Sequence, residues 1–81
     1  MTTQSLALEA DRLVTEIDQA LRRRYATALA WRQANPLRPV PAHLYSQLAD
    51  YSEHVETVRR AATLTDIGKA RVLRALLERV T

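Results

Sequence analysis

Three consecutive arginines, Arg22-Arg23-Arg24, are the first sign of a chemistry in this 81-residue chain, because clustered guanidinium groups neutralise phosphates. Arg12, Arg32 and Arg38 lie nearby in sequence, and Arg71 and Arg74 add a second basic stretch. Consecutive helical residues point about 100° apart, however, so the triplet cannot form one basic face. Arg22 also has Asp18 four residues upstream, the spacing at which a helix pairs opposite charges. A solvated, internally paired surface is the favoured reading, and nucleic-acid contact through Arg22, Arg24, Arg32, Arg38, Arg71 and Arg74 is the alternative. Residues 60–74 place a turn before a basic helix, as a helix-turn-helix does. Gly68 falls inside that helix rather than in the turn, though, and a recognition helix there would have to expose Leu73 or Leu76.

His43, Asp50 and His54 are spaced to share one face of a helix. Two imidazoles and a carboxylate are a conceivable metal set, but no thiolate and no third close ligand accompany them, so ordinary surface histidines explain the pattern better. No Ser–His–Asp arrangement or nucleophile motif is discernible. The single Gly excludes Gly-rich phosphate loops, and the absence of Cys excludes disulfides and thiolate zinc. The chain is therefore expected to be non-enzymatic, with no cofactor and no metal. Trp31, Tyr45, Tyr25 and Tyr51 could stack on bases, yet their spacing fits a seam between helices, which favours core packing.

The elements that must position these residues are helices. Of the apolar residues, 13 are Ala and most others are Leu or Val, a composition that folds only by stacking long helices closely. Three prolines within 36–41 give the one firm break. Upstream, Leu6, Ala10, Leu13, Ile17 and Ala20 follow alternating four-three spacing, with Val14, Leu21, Tyr25 and Ala28 beside them. Downstream, Leu44, Leu48, Tyr51, Val55, Val58 and Ala62 do the same. The expected architecture is a single all-α domain over 1–81. It is an antiparallel helical hairpin, about 4–34 and 41–63 around a Pro-rich loop at 35–40, with a shorter third helix at about 66–80. Pro41 suits the first turn of the second helix. Thr63, Thr65 and Asp66 offer caps for the third, and one bent helix over 41–80 is the rival reading.

An antiparallel hairpin centred near residue 38 pairs positions that sum to about 76. Trp31 then meets Tyr45, Ala28 meets Leu48, Tyr25 meets Tyr51, Leu21 meets Val55 and Val14 meets Ala62, all of them apolar. Arg23 falls opposite Glu53 and Glu16 opposite Arg60. Charge blocks of −3 over 1–18, +5 over 19–49, −2 over 50–66 and +3 over 67–81 favour the same alignment. The second helix ends before it can cover Leu6, Leu8 and Ala10, which need either the third helix folded back or another chain. Leu6, Leu8, Leu73, Leu76 and Leu77 are the expected partner-binding surface, for a homo-oligomer or a hetero-complex.

Around the loop, Ala28-Leu29, Asn35-Pro36, Pro39, Tyr45 and Tyr51 resemble the turn of type III secretion needle subunits. The stretch from the prolines to the tyrosines is also similar to the small helical co-chaperones that hold those subunits monomeric. The resemblance covers residues 28–51 and implies an accessory or structural role in an assembly. The Arg-rich composition and the interruption at 63–68 depart from the needle pattern. With no apolar run of membrane-spanning length and no signal-peptide order at the start, the expected location is cytoplasmic, or exported by a non-Sec apparatus if the resemblance holds.

Overall fold

The apolar periodicity resolves into four helices: α1 (Thr3–Arg24), α2 (Ala26–Ala34), α3 (Ala42–Ala61) and α4 (Asp66–Val80). The computed structural model describes residues 3–81, with side chains from Ser5 onward, and no strand occurs among them. The chain is all-α.

Where the spacing predicts one helix over 4–34, the chain bends at Tyr25 (φ −110°, ψ 24°), dividing α1 from α2. The hydrogen-bond ladder runs through the bend: the Tyr25 N–H donates to the Leu21 carbonyl at 3.0 Å, and the Leu29 N–H to the Tyr25 carbonyl at 2.9 Å. Neither Pro nor Gly, the usual causes of a kink, is present. The bend coincides instead with the buried Tyr25 ring, which lies edge-on to Tyr51 at 6.0 Å and beside His54 at 6.3 Å.

Asn35 closes α2 by donating its side-chain amide to the Trp31 carbonyl at 2.9 Å, while its backbone N–H reaches the Trp31 and Arg32 carbonyls. Pro41, expected as the first helical residue, is the N-cap of α3. Its carbonyl accepts from the N–H groups of Leu44 and Tyr45. At the far end, Ala62, Thr63 and Leu64 donate to carbonyls three residues back, a tightening that stops α3. Thr65 then caps α4 by accepting from the Gly68 N–H at 3.2 Å. Two helices, rather than one bent helix over 41–80, follow the loop. Gly68 has a specific use here, since a β-carbon at that position would lie 3.3 Å from the capping Thr65 hydroxyl.

The antiparallel register holds at Tyr25 against Tyr51, and Ala28 packs with Leu48. α4 then folds back alongside α1 and parallel to it. Arg74 pairs with Glu9 near one end, and Val80 and Thr81 share a hollow with Ala20, Arg23 and Arg24 at the other. Ala10, Leu13, Ile17 and Ala20 of α1 and Leu73, Leu76 and Val80 of α4 form most of the main core, joined by Leu21, Tyr25 and Ala61. Buried alanines at 10, 20 and 70 accompany this contact. A second cluster of Ala28, Leu44 and Leu48, with Trp31 and Val40, packs α2 on the first half of α3. The molecule is a rod of 48 × 19 × 19 Å, three helices thick at one end and two at the loop end.

Candidate functional site

α1 carries two apolar stripes, and α4 occupies one of them. The second, Val14 and Leu21, faces α3 across an open groove. Val14, Ile17, Asp18 and Leu21 form one wall and Val55, Val58 and Arg59 the other, around a hollow of about 230 Å³. An adjoining hollow of about 250 Å³ shares Val14, Val58 and Arg59 and extends to Ala10, Asp11, Ala62, Lys69 and Leu73. Although Leu21 and Val55 take their expected positions, the seam is not closed: Val14 is 38% exposed and Val55 42%. The α4 side of α1 is sealed, so within the α1–α3 seam the groove is where apolar surface still meets water, while Leu8, Leu37, Tyr45, Leu64 and Ile67 are exposed elsewhere on the molecule.

The groove rims differ in charge. Asp11 and Asp18, seven residues apart, edge the α1 wall, while Arg59 edges the α3 wall and Lys69 of α4 borders the adjoining hollow. No pair bridges it. Asp18 accepts from Arg22 at 2.9 Å within α1, as the four-residue spacing implies. Arg59 donates to both Glu56 oxygens, at 3.0 and 2.7 Å, and Arg60 lies 3.4 Å from the same carboxylate. The Arg59 hydrogen bonds hold the Glu56 carboxyl below its ordinary range. Desolvation opposes that shift, and the charges of Arg59 and Arg60 add to it. Glu56 in turn raises the Arg59 guanidinium. Among the described residues the ion pairs include neither Arg23 with Glu53 nor Glu16 with Arg60. The cross-hairpin pairs expected from register are replaced by pairs within one helix and by Arg74 with Glu9, because the open groove holds the α1 and α3 flanks apart.

The expected partner surface is divided by the fold. Leu73 and Leu76 are 1% and 3% exposed, buried in the main core, and Leu77 packs against it half-buried. Leu6 is half-buried and Leu8 is exposed. Of the two ways to cover the end of α1, the folded-back third helix is the one realised. Burial of Leu73 and Leu76 within the chain leaves Leu6, Leu8 and Leu77 without a continuous outer face. The groove residues Asp11, Val14, Val58, Arg59 and Lys69 were missed as a site. Their signal is the seven-residue recurrence of Asp11/Asp18 and Val14/Leu21, one step around the helix from the α4 stripe.

The arginines do not converge. Arg22 is paired with Asp18 and Arg74 with Glu9, and Arg24 lies over the Tyr25 ring at 5.9 Å. Arg32 edges a hollow with Val40 and Tyr45, and Arg38 sits in the exposed loop. Arg71 is exposed on α4, beside the N-terminal half of α1 and at the other end of the rod from Arg38. The expected Trp31–Tyr45 seam pair is divided too, with Trp31 packed in the α2–α3 cluster and Tyr45 66% exposed. His54 lies against Tyr25, whereas His43 and Asp50 are exposed, and no group of three His, Cys, Asp or Glu among the described residues is arranged to hold a metal. No helix among them is long and apolar enough to cross a membrane. In comparisons with known proteins, the chain matches no family model, no curated sequence and no solved structure.

Proposed function

We propose that this chain is a non-enzymatic protein–protein interaction module, a small assembly subunit or co-chaperone that presents an apolar helical surface to a partner or to a second copy. The carrying observation is the α1–α3 groove, where Val14, Leu21, Val55 and Val58 line an open apolar channel with charged rims. Burying such a channel supplies the hydrophobic part of an association, and the rim charges select orientation. The loop resemblance makes a secretion apparatus the proposed setting and the cytoplasm the proposed location. The folded-back α4 adds a helix to the two-helix hairpin of a needle subunit, which favours the accessory role over the needle itself.

Val55→Lys tests the reading, since Val55 is 42% exposed and its replacement leaves the main core intact. Immobilised wild type should retain a protein from the native source, or itself, and Val55→Lys should not, with unchanged helical circular dichroism. The rival, a basic nucleic-acid-binding regulator, predicts salt-dependent retention of DNA or RNA at ~50 mM salt, where phosphate contacts are strong. Retention of nucleic acid unaffected by Val55→Lys would replace the interaction reading with that one.

A further inference from the structure

We infer that the occupant of the α1–α3 groove is a second copy of this chain, seated face to face about a two-fold axis that runs along the groove. The inference rests on the groove being an interaction surface and goes further by naming what fills it.

The argument is one of self-complementarity. The two walls carry opposite charge: Asp18 of α1 and Arg59 of α3 line the same hollow, and Asp11 of α1 lines the next with Arg59 and with Lys69 of α4. A two-fold interface brings the same patch of both copies together, and its axis lies in the plane of contact. An axis along the groove leaves every residue at its own height and exchanges the walls. α1 of one copy then lies over α3 of the other, antiparallel to it. Asp18 meets Arg59 of the second copy, and the contact is made twice. An axis across the groove stacks α1 on α1 instead, setting acidic rim against acidic rim.

The apolar floor fits the same arrangement. Val14 and Val55, both partly exposed in the single chain, come to the centre with Leu21 and Val58 around them. The helices α1 and α3 of the two copies close a four-helix bundle, and the seven-residue spacing of Asp11/Asp18 and Val14/Leu21 repeats the contact along it. Among the described residues Asp18 and Arg59 form ion pairs with neighbours on their own helices, the exposed Arg22 and the half-buried Glu56. The Arg22–Asp18 contact is weak enough to be exchanged on association, while Arg59, which holds Glu56 through Nε and Nη2, keeps its Nη1 donors for the Asp18 of the second copy.

Charge exchange tests both the occupant and the axis. Sedimentation equilibrium of the wild type should give a dimer, and Val14→Lys should give a monomer of unchanged helicity. Asp18→Arg alone and Arg59→Asp alone should each weaken dimerisation by at least about tenfold, because each places like charges together twice. An equimolar mixture of these two variants should recover the dimer, since both cross-pairs of the mixed species are again opposite in charge. A wild type that stays monomeric, a larger assembly, a dimer indifferent to Val14→Lys, or a mixture no tighter than its components would each overturn the inference. The broader reading fails separately: a monomeric wild type that still captures another protein through Val55 removes the second copy and leaves the interaction module standing.

Discussion

Arg59 and Glu56 show how a surface residue here acts first within its own helix. The bidentate contact keeps the Glu56 carboxyl below its ordinary range, with the Arg59 hydrogen bonds as the leading cause. A carboxyl depressed in the folded state contributes stability above its unfolded value, and the contribution disappears as pH falls through the folded one. Arg59→Ala should therefore move the Glu56 midpoint upward in a carboxyl NMR titration while removing that part of the acid-side dependence. An unmoved midpoint would show that Arg60 alone suffices. Pairs of this kind, including Arg22 with Asp18, are legible in sequence because three- and four-residue spacing is fixed by helix geometry. Arg74 with Glu9 was not legible. These residues lie 65 positions apart, and their meeting depends on α4 running parallel to α1, which no local spacing encodes.

At the scale of the element, the start of α4 was readable because Thr65 is a good cap, and the helix begins at Asp66 as expected. Thr65→Ala should cost about 1 kcal/mol in urea denaturation through the lost cap. Gly68→Ala gains roughly 1 kcal/mol of helix propensity but crowds the cap hydroxyl at 3.3 Å, so it should change stability little in the wild type. Combined with Thr65→Ala, which removes the hydroxyl, the same substitution should stabilise clearly. A double-mutant cycle with no coupling would contradict the crowding. The division of α1 from α2 at Tyr25 left no such signal, since the residues there are ordinary helix formers and the bend accompanies ring packing between helices. The partner face assigned to Leu73 and Leu76 failed for a related reason: an amphipathic stripe identifies an apolar side but not what covers it. α1 covers it, so Leu73→Ala, which opens a cavity at a fully buried position, should cost about 2–5 kcal/mol.

For the whole molecule, hairpin register was legible because matched apolar and aromatic positions sum to one constant, and Tyr25 meets Tyr51 accordingly. The open seam was not legible. It arises because α1 has two stripes and gives the sealed one to α4, a choice set by competition among three helices rather than by any single pairing. The consequence is a rod with unequal ends. Near the loop, α2 and the first half of α3 share only the small cluster of Ala28, Leu44 and Leu48, whereas the opposite end is three helices thick. Local opening is easiest where buried apolar contacts are fewest, so the loop end should exchange its amide hydrogens first. Leu44→Ala removes a buried side chain from the small cluster without touching the α1–α4 contact. Amide exchange measured by NMR should accelerate across α2 and residues 42–48, while residues 10–20 of α1 and 70–80 of α4 keep most of their protection. A uniform loss of protection along the rod would instead mark one cooperative unit, with the two clusters coupled through Leu29, which packs against both.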